Sequence, residues 1–402
     1  MTDLILTVNA GSSSIKFALF GADRDWLSPT LKGQAEGIGL GSGAAASLKI
    51  SDGNGKLLHD AALGGKENSA PTHVEAMAAI LNWVAQSEPK GKVVAVGHRV
   101  VHGGSTFSGP VIINDQILVD IASLEKFAPL HQPHNLAGIR AARAAFENIP
   151  HIACFDTAFH HTQPDLNKRF ALPQTLFDAG IRRYGFHGLS YESIVAQLAA
   201  TAPQSTAARV VVAHLGNGAS MCAIRDGQSV ATTMSFSPLD GLPMGTRCGR
   251  LDAAVVLHLL QHHHRSADDI SQLLNRESGL LGLSGVSSDM RMLHASTLPD
   301  ARMAIDYFVE HILRELAGMV AALRGIDQLV FTGGIGENDA VLRERVMIGA
   351  SWLGLRLDAE ANRAGGERIS APDSVVAAIV LRTNEEAAIA RHAARKIRSL
   401  SA

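Results

Sequence analysis

The sequence has few cysteines and almost no net charge. The chain has 402 residues and three thiols, Cys154, Cys222 and Cys248. They are too far apart in sequence to form a metal-binding motif. We therefore expect small buried thiols in a reducing compartment, the cytoplasm. Lys and Arg together number 36, Asp and Glu 38, and the formal charge is −2. A balance this even argues against a nucleic-acid surface and against a polybasic membrane anchor.

Long apolar runs are also missing. The best run, Val375–Leu381, has the size of a strand, whereas a membrane-spanning helix needs about 20 apolar residues. The opening Met1–Val8 has no basic residue ahead of its apolar stretch, so it predicts a first strand and not a signal peptide. We expect a small-molecule partner, with no nucleic acid and no membrane. A chain of 402 residues also favours two domains.

A turn rich in glycine and serine lies between the first two apolar runs. It extends from Asn9 to Lys16 and offers one glycine, three hydroxyls and a lysine, which are the donors that a phosphate needs. It is not a P-loop, because the apolar run after Lys16 predicts a second strand where a P-loop would open a helix. Taken alone, the motif fits a phosphate-binding hairpin and an ordinary serine-rich turn equally well.

Polar residues follow apolar strands at points where the chain turns. Arg99 follows the predicted strand Val93–Val96, and Asp156 ends another apolar run. Strand ends of this kind line ligand crevices in α/β sheets, and they often hold acids, bases or metal ligands. Two alternatives stay open: Arg99 could pair with an acid at the surface, and Asp156 could cap a helix.

Several histidines lie near these turns. His131 is fixed between two prolines, which suits a substrate contact but equally a capping or core histidine. The neighbours His160 and His161 point in different directions on regular structure, so we favour a structural role over metal binding. His187 follows a third such turn, Tyr184–Gly188.

The opening pattern recurs in the second half of the chain. Val210–Leu215 predicts a strand, Gly216–Gly218 a small-residue turn and Met221–Ile224 a returning strand. This recurrence indicates an internal duplication, and two such hairpins could hold successive phosphates of a nucleotide. The segment Ser235–Asp252 is too rich in Gly and Pro for a regular element and predicts an ordered functional loop. Thr332–Asn338 predicts a glycine loop that opens a helix, with amides available to an anion.

A series of motifs resembles, in order, those of the acetate kinases: Asn9 to Lys16, Gly97 to Gly104, Phe155 to Phe159, Tyr184 to Gly188, His214 to Gly218, Gly245 to Gly249, Ser287 to Arg291, Gly334 to Asn338 and Thr383 to Glu386. The resemblance covers nearly the whole chain. It implies an α/β fold of two duplicated actin-like (ribonuclease H-like) domains with a central nucleotide cleft, and a homodimer. The expected bounds are 1–155 for the N-terminal domain, 156–385 for the C-terminal domain with the nucleotide site, and 386–402 for a closing helix that returns to the first domain.

The resemblance also assigns roles to individual residues. The implied catalytic set is Arg99, His131, Asp156, His187 and Arg247. The implied phosphate and nucleotide contacts are Ser12, Ser14, Lys16, His214, Leu215, Gly216, Asn217, Gly218, Asp289, Met290, Arg291, Gly334, Ile335, Gly336, Glu337 and Asn338. The implied ligands of Mg²⁺, or Mn²⁺, are Asn9 and Glu385. The implied pocket for a substrate methyl group, beside Arg99, consists of Val101, Leu130, Phe186 and Pro238.

The implied reaction is the reversible transfer of a phosphoryl group from ATP to acetate, which gives acetyl phosphate and ADP. Two unit charges 4 Å apart repel by about 4 kcal/mol even at an effective dielectric of 20, so two anions need cations in order to meet. Two arginines and a divalent ion would supply them, Arg99 towards the substrate carboxylate and Arg247 towards the transferred group. Because acetate is already ionised, no general base is needed, and we expect direct in-line transfer.

Other functions remain as alternatives. A propionate or butyrate kinase of the same fold would differ only in the volume of the pocket, and a non-catalytic actin-like protein would bind ATP without a second substrate. A sugar kinase would need a base and polar sugar contacts, which the apolar pocket disfavours. The sequence also departs from the family pattern at two positions: Arg250 stands where an acid is expected, and Gln132 where asparagine is usual.

Overall fold

The computed structural model describes residues 2–11, 14–22, 28–39, 46–64, 70–86, 91–201 and 208–401. Ser12, one of the predicted phosphate contacts, lies outside the described residues. The chain groups into two compact units. The first comprises Met1–Phe159, Gly188–Ser193 and Asn384–Ala402, and the second comprises His160–His187 and Ile194–Thr383.

The segment Gly188–Ser193 was expected in the second domain but groups with the first unit. Two contacts account for this. The amide of Gly188 donates to the carbonyl oxygen of Asp156 at 2.9 Å, and Leu189 is buried in a core of the first unit.

The strands of the first unit are β1 (Thr2–Ala10), β2 (Ser14–Gly21), β3 (Leu31–Glu36), β4 (Ser47–Asp52), β5 (Leu57–Ala62), β6 (Gly91–Val100), β7 (Val111–Ile112) and β8 (His151–Phe155). Those of the second unit are β9 (Arg209–Leu215), β10 (Ala219–Arg225), β11 (Gln228–Thr232), β12 (Gln328–Thr332) and β13 (Ala377–Val380).

The helices, in chain order, are α1 (His73–Gln86), α2 (Asp115–Ser123), α3 (Gln132–Ala145), α4 (Asp165–Lys168), α5 (Gln174–Asp178), α6 (Gly188–Thr201), α7 (Ala253–Gln261), α8 (Ala267–Arg276), α9 (Gly279–Ser284), α10 (Met290–Ala295), α11 (Pro299–Leu323), α12 (Gly333–Asn338), α13 (Ala340–Gly349), α14 (Ala359–Arg363) and α15 (Glu385–Ser401). Among the described residues, no helix combines the length and the apolar character needed to cross a membrane.

The two sheets repeat one arrangement of strands. The first sheet has the order β5-β4-β3-β2-β1-β6-β8-β7, and the second has the order β11-β10-β9-β12-β13. In the first, β1 pairs antiparallel with β2 and parallel with β6, while β2 pairs antiparallel with β3 and β6 parallel with β8. Strands β9, β10, β11, β12 and β13 repeat these pairings one for one. The predicted α/β class and internal duplication are therefore confirmed.

Helices cover both faces of the first sheet. Leu6 and Val8 of β1 share a core with Met77 of α1, whereas Ile5 shares another core with Ile389 of α15. Alternation along the strand sends successive side chains to opposite faces, so the consecutive apolar residues Leu4–Leu6 of β1 serve both cores. The apolar residues of α1 (His73–Gln86) recur at helical spacing, so this helix is predictable from the sequence alone.

In the second unit, α11 is the longest helix that we describe. It begins with Pro299 at its first position, where the missing N–H is not needed, and it ends before Arg324 in the left-handed conformation. The helical spacing of Ile305, Phe308 and Ile312 places these side chains in the core.

A buried histidine, His160, joins separate segments of the second unit. In the second unit, His160 Nε2 lies 2.9 Å from the Phe186 carbonyl oxygen and Nδ1 lies 2.9 Å from Ser229 Oγ. A carbonyl only accepts, so Nε2 carries the proton and Nδ1 accepts from the hydroxyl. Burial lowers the pKa of His160 to about 4. The prediction of a structural role for His160 is confirmed, and the described residues contain no cluster of three metal-ligating side chains.

We predict that His160 makes stability depend on pH. Its pKa is lower in the folded chain, so its contribution is complete above about pH 6.5 and is lost as the pH falls towards 4. The deficit of His160→Gln relative to the unsubstituted protein should therefore shrink by on the order of 2 kcal/mol between pH 7.5 and pH 5. Thermal unfolding at both pH values measures this, with exposed His263→Gln as the control. An equal deficit at both pH values would contradict the prediction.

Candidate active site

In the first unit, polar side chains meet at the carboxyl ends of three neighbouring parallel strands. Asn9 is near the end of β1, Arg99 near the end of β6, and Asp156 follows β8. Arg99 Nε lies 3.0 and 3.1 Å from the two carboxylate oxygens of Asp156, and Nη2 lies 2.6 Å from Oδ2. Nη1 donates to Asn9 Oδ1 at 3.1 Å. We call Asn9, Arg99, Asp156 and Glu385 the strand-end cluster.

Glu385 completes this cluster from the start of α15. Its Oε2 accepts from Asn9 Nδ2 at 3.3 Å and lies 3.9 Å from Arg99 Nε. Lys16 is opposite Asn9 in the β1–β2 register, and its side chain is exposed. The cluster thus holds two carboxylates around one guanidinium, at the edge of a parallel sheet where ligands bind.

Burial sets the ionisation of the Arg99–Asp156 pair. It raises the pKa of Asp156 to about 6, and the adjacent Arg99 opposes that rise. Burial also works against the charge on Arg99, but Asp156 and Glu385 outweigh it and raise the pKa of Arg99. Both groups are therefore charged at neutral pH.

Two side chains of α3 hold the backbone beside the cluster. Asn135 Oδ1 accepts from the Val101 amide at 3.0 Å, and Asn135 Nδ2 donates to the Ala10 carbonyl oxygen at 2.8 Å. Gln132 Nε2 donates to the carbonyl oxygen of His102 at 3.1 Å. Asn135 thereby ties the end of β1 to the exit of β6. Sequence reasoning missed Asn135, although a polar residue one turn into an amphipathic helix was a usable signal.

The same helix contains Gln132, which stands where the family pattern usually has asparagine. Gln132 is fully buried and also donates to the Ile121 carbonyl oxygen at 3.2 Å, so it acts as a brace between helices. His131, a predicted catalytic residue, is half-buried at the position before α3. Leu130 is half-buried and Val101 is 3% exposed.

In the second unit, His187 and Arg247 come from two separate segments and lie beside the β9–β10 hairpin. The rings of His187 and His214 stack with centroids 4.3 Å apart, and His187 Nδ1 lies 2.8 Å from Ser220 Oγ. A Cβ on Gly218, in the hairpin turn, would lie 3.5 Å from His187 Nε2 and 3.8 Å from Arg247 Nη1. We call His187, His214, Gly218 and Arg247 the hairpin cluster.

His187 has a strained backbone. Its φ of 58° is in the left-handed region, which few residues other than glycine adopt. Such strain costs about 1–3 kcal/mol and is typical of functional sites, where the surroundings fix a side chain in place. Ser220, which sequence reasoning did not select, helps to fix the ring.

Arg247 lies in the loop Ser235–Asp252 and is held by that loop. Its Nη1 donates to the Pro238 carbonyl oxygen at 3.0 Å and lies 3.5 Å from Met244 Sδ. Pro238 is half-buried, whereas Phe186 is 1% exposed and contributes a backbone carbonyl to His160. The loop has no regular secondary structure, as its Gly and Pro content predicts, and its functional role stays a prediction.

The predicted glycine loop Thr332–Asn338 is itself helical and forms the short helix α12, which α13 follows at Ala340. The reason is that the Glu337 carboxylate folds back and accepts from the Gly333 amide at 2.9 Å, and also from the Thr383 amide at 3.1 Å. A Cβ on Gly216 would lie 3.8 Å from the Gly334 amide nitrogen, so the hairpin turn and α12 are neighbours. Gly334 and Asn338 are exposed.

The remaining predicted nucleotide residues are at the start of α10. Asp289 caps this helix through the Arg291 amide at 2.9 Å and pairs with the Arg291 guanidinium at 2.6 Å. The side chains of Met290 and Leu215 are buried in the core. Their contacts with a ligand would therefore be made by the backbone.

The strand-end cluster fits a hard divalent cation. Asp156 and Glu385 offer carboxylate oxygens and Asn9 an amide oxygen, which are the ligand types that Mg²⁺ prefers. Mg²⁺ commonly takes only one or two protein carboxylates together with substrate phosphates.

The first unit has a guanidinium locked at the ends of parallel strands, and the second has an arginine beside a glycine hairpin. Repeated α/β units with such groups are typical of an enzyme for phosphoryl transfer. The chain belongs to the acetokinase family, whose model matches residues 4–391.

Relatives match along almost the full length. An acetate kinase of Methylocella silvestris is 52% identical over 394 residues, which cover 98% of this chain and 97% of the relative. The crystal structure of a propionate kinase from Francisella tularensis has a TM-score of 0.88 at 35% identity and covers 97% of this chain and 98% of its own. The crystal structure of Porphyromonas gingivalis acetate kinase has a TM-score of 0.85 at 34% identity, with coverage of 98% and 100%.

Proposed function

We propose that this protein is an acetate kinase, which transfers the terminal phosphoryl group of ATP to acetate and releases acetyl phosphate and ADP in a reversible reaction. The observation that carries the proposal is the ion pair in which Asp156 fixes the guanidinium of Arg99 at the ends of the parallel strands. The 52% identity to a named acetate kinase supports it.

Arg99 keeps donors for a substrate. A guanidinium has five N–H groups. Within the described part of the chain, Asp156 takes those on Nε and Nη2, and Asn9 takes one on Nη1. The remaining N–H of each terminal nitrogen suits the two oxygens of a carboxylate. We assign Arg99 to the acetate carboxylate and Asp156 to its orientation.

Arg247 and His187 act on the transferred group in this proposal. Both approach the turn of the β9–β10 hairpin, whose glycine backbone suits a phosphate. Fixed positive charge and N–H donors stabilise the charge that spreads over the equatorial oxygens. We assign a substrate contact to His131, and nucleotide contacts to the first hairpin at Ser14 and Lys16, the second hairpin at His214–Gly218, and the segments Asp289–Arg291 and Gly334–Asn338.

Asn9 and Glu385 would hold Mg²⁺ or Mn²⁺, which when bound neutralises phosphate oxygens of ATP. The described thiols Cys154 and Cys222 are buried and reduced, which supports the cytoplasm as the location that we propose.

The proposal is tested by incubating the protein with ATP, Mg²⁺ and acetate and trapping the product with hydroxylamine. An acyl hydroxamate is the expected product, since acyl phosphates react with hydroxylamine. Nucleotide binding without hydroxamate would contradict the proposal and favour a non-catalytic ATP-binding protein.

We predict that Arg99→Ala and Arg247→Ala each lower kcat by on the order of 10³ or more, because each removes a cation that the proposal assigns to an anionic group of the substrates. Hydroxamate formation measures the loss, and circular dichroism verifies folding. Exposed Arg302→Ala on α11 is the matched control and should keep full activity. Substantial activity in either site variant would refute the role assigned to that arginine.

We predict that Val101→Ala improves the use of propionate relative to acetate. Val101 is almost fully buried, so its truncation removes two methyl groups and makes room for the extra methylene of propionate, a difference worth roughly 1–3 kcal/mol in discrimination. The ratio of kcat/KM for the two acids measures this. Val100→Ala, which truncates a valine of a core cluster of the first unit, should leave the ratio unchanged. An unchanged ratio in Val101→Ala would remove this residue from the pocket.

We propose that the protein is a homodimer that uses α7. This helix carries apolar residues but has no buried side chain, and Val255 and Leu257 are 41% and 53% exposed. Exposed apolar patches of this kind mark protein interfaces. We predict that Leu257→Glu yields monomers in light scattering, whereas Leu166→Glu, at another exposed leucine, stays dimeric. A dimeric Leu257→Glu would contradict the use of α7.

A further inference from the structure

Arg250, the second departure from the family pattern, pairs with a buried acid on α11. Arg250 Nη2 lies 3.2 Å from Glu315 Oε1. The side chain of Glu315 is 7% exposed, whereas that of Arg250 is 65% exposed. Burial raises the pKa of the Glu315 carboxyl, and Arg250 opposes that rise. An arginine that reaches in from the surface thus compensates an acid within the apolar face of the long helix.

The loop Ser235–Asp252 has two arms, a first arm that contains Pro238, Asp240 and Gly241 and a second arm that contains Arg247, Gly249 and Arg250. The backbone of Arg250 joins these arms. The Arg250 amide donates to the Gly241 carbonyl oxygen on the opposite arm at 2.9 Å. Gly249, with a φ of 72°, packs so closely that a Cβ there would lie 2.6 Å from the backbone of Leu242. Arg250 is therefore the point where both arms of the loop attach to α11.

The other arm has its own polar anchors. Asp240 accepts from Ser235 Oγ at 2.5 Å and from the Gly241 amide at 2.8 Å, and it lies 3.8 Å from Arg183. Asp240 and Arg183 also act on Glu315 electrostatically, in opposite directions. Arg250 is the only cation that forms an ion pair with Glu315 among the residues described in the structure.

The orientation of Arg247 depends on both arms. Its guanidinium donates to Pro238 on one arm, while its own carbonyl oxygen accepts from the Met244 amide at 3.0 Å. Arg247 is three residues before Arg250 on the same arm. A shift of this arm relative to α11 would therefore move the guanidinium that the proposed function assigns to the transferred phosphoryl group.

We propose that Arg250 and Glu315 are a positioning pair, which attaches the Arg247 loop to α11 and so fixes the guanidinium of Arg247 for phosphoryl transfer. This inference rests on the proposed function. Neither residue touches substrate. The pair lowers the barrier through the placement of Arg247, so its loss changes kcat and leaves the KM for ATP unchanged.

Kinetics of Arg250→Ala and Glu315→Gln test the proposal. We expect each to lower kcat about fivefold, which is the scale of a partly exposed ion pair, with the KM for ATP unchanged. The double variant should fall no further than either single variant, because both remove one interaction. Arg250→Lys keeps the charge and should retain most of kcat. The matched control is Arg314→Ala, which breaks the exposed pair with Glu310 on the same helix and should have no effect.

Hydrogen–deuterium exchange supplies a readout that does not need activity. We expect the amides of residues 238–252 to exchange faster in Glu315→Gln and Arg250→Ala than in the unsubstituted protein, and no change in Arg314→Ala. Unchanged exchange in this loop, or a lower melting temperature with unchanged kcat, would overturn the positioning role. If the unsubstituted protein forms no acyl hydroxamate, the proposed function fails, while the exchange experiment still decides whether the pair holds the loop.

Discussion

The ion pair of Arg99 and Asp156 is the interaction on which the first half of the site depends. Parallel pairing of β1, β6 and β8 brings their carboxyl ends together, and the bidentate carboxylate then fixes the guanidinium there. A cation that is already desolvated and oriented does not have to reorganise when an anion arrives, which is how preorganised charges lower a barrier. The pair also stabilises the fold, because a buried Arg99 or Asp156 without its partner would raise the free energy of the folded state.

The second unit uses the same strand arrangement for a different task. Its hairpin offers glycine backbone where the first offers serines and a lysine, and the strained His187 and the loop-held Arg247 lie against it. Duplication thus gives two sheets with equivalent strand ends. In the function that we propose, side-chain differences adapt one to a metal ion and a carboxylate and the other to a phosphoryl group. The function that we propose needs both, since a carboxylate and a phosphoryl group repel each other unless cations intervene.

Regular elements were predictable from the sequence because apolar spacing decides them. The helix His73–Gln86 and the two glycine hairpins have the expected form, and the repeated hairpin revealed the duplication. Side-chain partners distant in the chain were not predictable, because tertiary packing chooses them. Asn135 reaches Ala10, and Arg250 reaches Glu315, through contacts that no local pattern encodes. Residues Gly333–Asn338 were expected as a loop that opens a helix and not as the helix itself, since no local pattern indicates that the Glu337 side chain accepts from the Gly333 amide.

The central claim is that the acetate carboxylate, held by a fixed guanidinium, attacks the terminal phosphorus of ATP directly. The stereochemical course of transfer tests this most directly, with ATP made chiral at its terminal phosphorus by oxygen isotopes. One in-line displacement predicts inversion of configuration in acetyl phosphate. Retention would require two successive displacements through a phosphorylated residue and would contradict the account.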